Sequence, residues 1–296
     1  MRKFLIVMLV LALVAGAALS LVACNNEVDL PGLKWANEEV LSYEIYDGDT
    51  LVGALVIKTE RLDAGTQTLN MTGESHVVSA STVKGTRVTM AATYADGTTS
   101  MASESILDGF TTLASAKKVV ANGTEYTSKA RYDGKRYYYS VNGAEEKKLR
   151  IKSGFVDNEL LYTVLRAYTI EDNYTGTYTV FDSTALDKAE LTINTSNPEV
   201  HYNGTTHLVA GAPVNGITIF SNGVEQAMAT NVKCVELSIQ RSSAPVGTPI
   251  YVTYSVEGDN GLKVWGEGST GKYSTHFPVK IVENNITYRL ASISCK

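Results

Sequence analysis

Histidines, serine–lysine pairs and acidic residues are the side chains of this sequence whose types suit catalysis or metal binding. His201 and His207, in "HYNGTTH", are the most closely spaced histidines. If Asn203-Gly204 forms a two-residue hairpin turn, successive cross-strand pairs point to opposite faces, so the two imidazoles lie on different sides of the ribbon. We therefore predict that they do not share a metal ion.

No motif for a catalytic nucleophile is complete. The S-x-x-K spacing occurs at 81–84 and 115–118, without the S-D-N and K-T-G segments that accompany a serine–lysine acylation site. Asp47 and Asp49 lie in "YDGDT", which lacks the ligand spacing of a calcium loop. Nothing in the sequence selects a carboxylate pair for glycoside hydrolysis. These observations predict a protein that is not an enzyme and has no metal or cofactor; a polysaccharide hydrolase is the alternative.

Cys24 ends an apolar run and is followed by polar residues. Arg2 and Lys3 precede a segment from Phe4 to Leu19 that carries no charge. A basic start, an apolar middle and small residues before a break are the parts of a secretory signal. The stretch "LVAC" resembles the lipobox of bacterial lipoproteins, in which the chain is cut before the cysteine and a diacylglycerol is attached to its sulfur. The resemblance implies lipidation of Cys24.

The lipobox also implies three segments: a signal peptide over 1–23, a lipidated tether over 24–34 and a single β-rich domain over 35–296. Each buried methylene of an acyl chain contributes roughly 0.8 kcal/mol, so two or three chains would hold the protein firmly at a membrane, outside the cytoplasm. Asn25 resembles the residue found after the cysteine in lipoproteins sent to the outer membrane, and both the cell membrane and the outer membrane stay open. An uncleaved N-terminal helix of roughly 20 apolar residues is the alternative.

The acidic balance of the chain argues against nucleic acid as a partner. The chain has 296 residues and a formal net charge of −5, and loss of 1–23 removes Arg2 and Lys3. No basic patch remains, whereas nucleic-acid binding relies on clustered Lys and Arg. The predicted partners are the membrane, through the lipid anchor, and either an apolar ligand or an envelope protein.

Cys234 and Cys295 are the other cysteines, and outside the cytoplasm an even pair is a candidate disulfide. In "VKCVELSI", alternation places Cys234 on the face opposite Val235; in "ITYRLASISC", strict alternation places Cys295 on the polar face with Arg289. If the two strands are neighbours, a bridge would contribute roughly 4 kcal/mol by the loop-entropy estimate. Two unpaired thiols are the alternative.

Turn signals recur along the chain and predict antiparallel hairpins. Asn-Gly and Asp-Gly pairs tolerate the positive φ angles of tight turns, and they separate runs rich in Val, Ile, Thr and Tyr, such as "RYYYSV". One segment, "VDNELLYTVLRAY", has helical spacing instead and predicts a helix from about Asp157, its N-cap, to Tyr168. The apolar stripe of this helix consists of Leu160, Leu161, Val164, Leu165 and Tyr168. The predicted fold is mainly β: an antiparallel curved sheet or partial barrel with one amphipathic helix near the middle.

Tyrosine is frequent, with 17 residues against 6 Phe and 2 Trp. A tyrosine ring buries apolar area while its hydroxyl reaches water or a partner, so a curved sheet lined by such rings suits a ligand-binding concavity. The candidates for this ligand face are Tyr137, Tyr139, Tyr288, Leu160, Leu161 and Leu165. The alternative is that these side chains are ordinary core packing.

Two segments, "EVLSYEIYDGDTLVGAL" and "VWGEGSTGKYSTHFPVKIVENNITYRL", resemble the bacterial envelope family called domain of unknown function 3108. Within the second segment the likeness lies especially in Trp265 and in the strand from Phe277 to Ile281, and the central helix also resembles that family. The resemblance implies an envelope protein and transfers no catalytic residue. The sequence thus predicts a lipid-anchored, extracytoplasmic, non-catalytic protein that binds a lipid or another apolar ligand in its curved sheet. An envelope structural or interaction protein without a small-molecule ligand is the alternative.

Overall fold

The computed structural model describes residues 35–79, 85–109, 111–150, 156–157, 160–167, 174–182, 187–266 and 273–296. These residues belong to one compact unit, Lys34–Lys296. The predicted signal peptide and tether, with Cys24, lie outside them. Within the described ranges, no helix has the length and apolar character needed to cross a membrane.

Most of the described residues are in β-strands. The strands of the first half are β1 (Glu38–Asp47), β2 (Thr50–Leu62), β3 (Gly65–Thr68), β4 (Ser75–Val78), β5 (Gly85–Tyr94), β6 (Ser100–Asp108), β7 (Thr111–Ala121), β8 (Thr124–Tyr132), β9 (Arg136–Val141), β10 (Lys147–Arg150) and β11 (Val156–Asp157). The helix α1 (Leu161–Val164) and a turn of 3-10 helix (Leu165–Ala167) follow. The later strands are β12 (Thr175–Asp182), β13 (Asp187–Tyr202), β14 (Thr205–Val209), β15 (Ala212–Gly216), β16 (Thr218–Ser221), β17 (Val224–Glu225), β18 (Val232–Arg241), β19 (Ile250–Ser255), β20 (Val264–Trp265), β21 (Tyr273–Ser274), β22 (Pro278–Glu283) and β23 (Ile286–Cys295).

One large sheet contains 17 of these strands. Following its strand pairings from one end to the other gives the order β10-β9-β8-β7-β6-β5-β2-β1-β23-β22-β19-β18-β13-β12-β11. These pairings are antiparallel except for β11 with β12. The second half of β23 also pairs in parallel with β16, which carries β17. The pairs β3–β4, β14–β15 and β20–β21 form separate two-stranded sheets.

One face of the large sheet is apolar and is called the inner face here. In β1 every second residue is buried, including Leu41, Tyr43 and Ile45, as expected when successive side chains point to opposite faces. The register continues this face across the sheet, because Tyr43 lies opposite both Leu55 and Leu290. Two buried clusters lie largely on the inner face. The first is centred on β1, β2 and β5, and the second on β13, β18 and β19.

The two ends of the large sheet meet through side chains. Phe181 of β12 packs against Tyr137 and Tyr139 of β9, with ring centroids 4.7 and 5.1 Å apart. All three rings are buried in a third cluster. We call this contact the seam, because it closes the curved sheet into a barrel-like shape through packing between its ends. The predicted antiparallel curved sheet or partial barrel is confirmed.

The predicted helix is present in the described part of its range. Helical structure covers 160–167, and the predicted end, Tyr168, lies outside the described residues. The predicted N-cap, Asp157, lies in β11 opposite Phe181. Its side chain and residues 158–159 lie outside the described part of the chain, so the predicted start stays a prediction. The N-cap position of α1 is Leu160, which makes no side-chain capping hydrogen bond.

The hairpin turn predicted at Asn203-Gly204 does not join paired strands. The end of β13 pairs with β18, where His201 lies opposite Lys233. His207 lies opposite Val214 in the separate β14–β15 sheet. β14 therefore pairs with β15 and not with β13. The two histidines are therefore in different sheets, and not on opposite faces of one hairpin as predicted.

Candidate functional site

A short helical segment, Leu160–Ala167, lies against the inner face of the sheet and is called the plug here. Its side chains divide between the two buried clusters. Leu160 and Val164 belong to the first cluster, whereas Leu161 and Leu165 belong to the second. The predicted apolar stripe of the helix therefore packs against the sheet over its described part.

Arg166 joins the plug to the inner face through a buried ion pair with Glu39, which is called the clamp here. Glu39 follows the same alternation in β1 as Leu41, so its carboxylate points inward. Nη1 of Arg166 donates to Oε1 of Glu39 at 2.5 Å, and Nη2 donates to Oε2 at 2.8 Å. The Arg166 and Glu39 side chains are only 1% and 0% exposed. Two parallel bonds of this kind fix both distance and orientation.

The Arg166 guanidinium makes further contacts around the clamp. The carbonyl of Thr275 accepts hydrogen bonds from Nε of Arg166 at 3.3 Å and from Nη2 at 3.0 Å. The guanidinium carbon lies 5.0 Å from the ring centre of Phe277 and 5.7 Å from that of Trp35, within the range of cation–π attraction. Burial works against the charge on Arg166, but the Glu39 carboxylate outweighs it and raises the guanidinium pKa. This arrangement suits holding the plug in place.

Sequence reasoning did not identify either residue of the clamp. The structure divides the predicted ligand-face residues among three places. Tyr137 and Tyr139 lie at the seam, Leu160 in the first cluster, and Leu161 and Leu165 in the second. Tyr288 is partly buried between the first and second clusters. These side chains contact other parts of the protein itself, and their role in ligand binding stays a prediction.

Buried tyrosines brace the interior through their hydroxyl groups. Tyr43 donates to the carbonyl of Pro278 at 2.8 Å, and Tyr254 donates to the carbonyl of Tyr162, in the plug, at 3.0 Å. Each ring thus buries apolar area without leaving its hydroxyl unpaired, as buried tyrosines require. The second of these bonds is a further link between the plug and the sheet.

Cys234 and Cys295 are free thiols, and both are buried. The predicted disulfide is absent, because β18 pairs with β13 and β19 whereas β23 pairs with β1, β22 and β16. The prediction that both thiols project from a polar face is also wrong. Cys234 does point to the face of β18 opposite Val235, as predicted. That face is buried at this position, because Cys234 belongs to the same buried cluster as Tyr202.

A register shift explains why Cys295 points inward. In the pairing of β23 with β1, Ser292 lies opposite Ser42 and Leu290 lies opposite Tyr43, so Ala291 is left without a partner. An extra residue of this kind is a β-bulge, and it reverses the alternation beyond it. Cys295 therefore lies opposite Glu39, beside the clamp.

Raising the pH from about 9 is expected to destabilise the fold through these thiols. Burial raises the pKa of Cys234 and of Cys295 from 9.0 to about 12. Between these values the unfolded chain releases thiol protons that the folded chain keeps. The free energy of unfolding therefore falls by about 1.4 kcal/mol per pH unit for each thiol, and this contribution is fully present below the unfolded pKa.

Urea denaturation over this pH range measures the effect. A variant with Cys234→Ala and Cys295→Ala keeps every other titratable side chain and serves as the control. It should lose stability less steeply with rising pH than the parent chain. Equal slopes for the two chains would contradict the prediction.

The described residues bring no three or more His, Cys, Asp or Glu side chains together at a spacing that would hold a metal ion. His207 Nε2 lies 3.1 Å from the carbonyl of Gly216. His276 Nδ1 lies 3.1 Å from the carbonyl of Arg166, at the end of the plug. His276 also has a positive φ of 51°, so its backbone makes a sharp turn next to the clamp.

Comparisons with known proteins give a match in structure but none in sequence. No family model matches this sequence, and no curated protein matches it either. Among solved structures, the chain is similar to the crystal structure of a β-barrel-like protein of domain of unknown function DUF1849 from Brucella abortus, with 11% identity and a TM-score of 0.47. The match covers 90% of this chain and 100% of that one. The resemblance to domain of unknown function 3108 stays a prediction.

Proposed function

We propose that this chain is a lipid-anchored extracytoplasmic protein of the bacterial envelope that acts through surface contacts with other envelope components and not through catalysis. The lipobox-like stretch ending at Cys24 supports the anchor and the location. The clamped plug supports the mode of action. A protein of this kind needs a stable scaffold with binding surfaces on its outside.

The observation that carries this proposal is the position of the plug. Leu161 and Leu165 pack on the inner face in the second cluster, where a ligand in a curved sheet would be held. Arg166 fixes them there through the buried clamp. Releasing the plug would leave a buried charge without its partner, which is a costly step for a carrier that must load and unload.

A carrier for a lipid or another apolar molecule is the second candidate function. It is favoured by the apolar inner face, which extends through the first and second clusters. In this case the ligand would displace or border the plug, near the partly buried Tyr288. This function would need the plug to leave its place.

Two measurements distinguish these functions. For an interaction protein, crosslinking in the native envelope is expected to capture a defined partner, and native mass spectrometry of the purified chain is expected to give the mass of the acylated polypeptide alone. A stoichiometric apolar molecule that co-purifies with the chain, without a crosslinked partner, would instead establish the carrier.

Replacing Cys24 with alanine is expected to abolish the anchor. The acyl chains are attached through the Cys24 sulfur in the proposed lipoprotein, and without them the chain loses the roughly 0.8 kcal/mol that each buried methylene contributes. Labelling with a radioactive fatty acid, followed by membrane fractionation, measures this loss. The matched control is Cys234→Ala, which removes a buried thiol and should leave labelling intact. Labelling that survives Cys24→Ala would overturn the anchor.

A further inference from the structure

The hairpin formed by β14 and β15 ends in an exposed apolar tip. The residues of the tip, 208–214, read "LVAGAPV" and are all exposed. Leu208 is 76% exposed, Val209 50% and Val214 38%. None of the seven side chains is charged or polar. An uninterrupted exposed apolar stretch of this kind marks an interaction site in a soluble domain.

The tip is apolar on both faces of its ribbon. Leu208 and Val209 are adjacent in β14, so their side chains point to opposite sides. Pro213 lies opposite Leu208, and Ala212 lies opposite Val209, so each face carries an apolar cross-strand pair. A protein partner that docks on a ribbon covers one face, whereas the hydrocarbon boundary of a bilayer surrounds an inserted ribbon. The two-sided pattern therefore fits a lipid surface.

The turn of this hairpin uses an apolar residue where the backbone favours asparagine. Ala210 and Gly211 have φ angles of 51° and 84°, as a two-residue hairpin turn requires. Six of the eight non-glycine residues with positive φ in the described chain are Asn, because an Asn side chain tolerates this conformation better than Ala. Ala210 thus keeps the tip apolar at a cost in local backbone strain.

A polar collar lies directly below the tip. The Thr206 hydroxyl donates to Oδ1 of Asn215 at 2.8 Å, across the two strands. His207 Nε2 lies 3.0 Å from the Thr205 hydroxyl. When a hairpin enters a membrane interface, its apolar end lies at the acyl chains and the polar groups behind it lie among the lipid headgroups. Immersion of this kind reaches about 5–10 Å.

We propose that the β14–β15 tip inserts into the lipid interface of the membrane to which Cys24 anchors the chain. This inference rests on the proposed lipid anchor and adds a second membrane contact to it. Residues 24–34 would span at most about 36–40 Å when extended, so the anchor would keep the domain close to the bilayer. Two contacts would orient the domain on the bilayer, whereas the acyl chains alone would leave it free to rotate.

The test uses the full acylated chain in vesicles of phosphatidylethanolamine and phosphatidylglycerol, with and without lipids brominated in their acyl chains. A tryptophan is introduced at the tip by Leu208→Trp. The matched control is Val246→Trp, at a residue that is 99% exposed in another loop. After subtraction of the parent's emission, brominated lipid is expected to quench the tip tryptophan about threefold more strongly than the control, because only the tip reaches the acyl region.

A second variant separates membrane insertion from folding. Adding Ala210→Asn to the Leu208→Trp chain suits the turn backbone, so the hairpin should stay folded while the polar amide lowers the quenching. Equal quenching at positions 208 and 246 on vesicles that float with bound protein would overturn tip insertion and leave the anchor standing. A tip buried in a dimer or against another protein, and not quenched by lipid, would overturn it as well. A chain that does not float with the vesicles would overturn the anchor and this inference together.

Discussion

Replacing Arg166 with methionine is expected to lower the free energy of unfolding by about 3–5 kcal/mol, the range measured when one partner of a buried ion pair is removed. The Glu39 carboxylate would remain on the inner face with its charge unpaired, and its side chain is 0% exposed. Methionine is unbranched and fills most of the volume, so the loss reflects mainly the uncompensated charge, together with the Thr275 carbonyl that loses its donors. Urea denaturation at neutral pH measures it.

Two controls show whether burial is the cause. Arg131 forms a similar two-bond pair with Glu146, but these side chains are 40% and 41% exposed. Arg131→Met should therefore cost about 0–1 kcal/mol. A double variant with Arg166→Met and Glu39→Leu should recover much of the loss, because an apolar pair replaces a buried ionic one at little net cost. A loss of under about 1 kcal/mol for Arg166→Met alone would show that the clamp does not hold the plug.

The clamp shows what a sequence can and cannot reveal about this site. Glu39 lies in the buried register of β1, two residues before Leu41, and an acidic residue in that register is a visible signal for a buried partner. Its partner gives no such signal, because Arg166 follows the apolar stripe of the helix and ends 127 residues away in the chain. Only the curvature of the sheet brings the two together.

Local sequence patterns predicted which segments form strands and the helix, but not how those strands pair with one another in the sheet. Alternation in β1 and β18 and the helical spacing of the plug depend on adjacent residues, so these patterns persist in the fold. The inward position of Cys295 depends on Ala291, which has no partner in the pairing of β23 with β1. A single extra residue of this kind leaves no mark in the composition of the strand, so the predicted outward thiol was wrong.

Strand formation and strand pairing also differ in predictability at the ends of strands. Asn203-Gly204 has the composition of a hairpin turn, but the strands on its two sides pair elsewhere. Tyr202, at the end of β13, lies opposite Val232 of β18, and Thr205, at the start of β14, lies opposite Gly216 of β15. Sequence therefore predicted an antiparallel sheet built from hairpins, whereas the partner of each strand depended on competition among all the strands.

Weakening the seam is expected to open one end of the sheet before the rest of the fold. Phe181→Ala is expected to lower the free energy of unfolding by about 3–5 kcal/mol, as for other buried Phe side chains. Phe181 is only 3% exposed, and its ring contacts Tyr137 and Tyr139 across the closure of the sheet. Because no hydrogen-bonded pairing links β9 with β12 in the described chain, loss of the ring should also open this end locally. Hydrogen exchange should speed up in β8, β9 and β10 before it does in β1 and β2.

Leu237→Ala is the matched control for the seam. Leu237 is fully buried in the second cluster, and its truncation should cost about 2–5 kcal/mol. It lies in β18, between two hydrogen-bonded neighbours, so its loss should speed up exchange throughout the sheet without favouring β8, β9 and β10. If Phe181→Ala and Leu237→Ala give the same exchange pattern, side-chain packing does not hold the two ends together. A selective response to Phe181→Ala alone would identify these three aromatic rings as the structural closure of the barrel-like sheet.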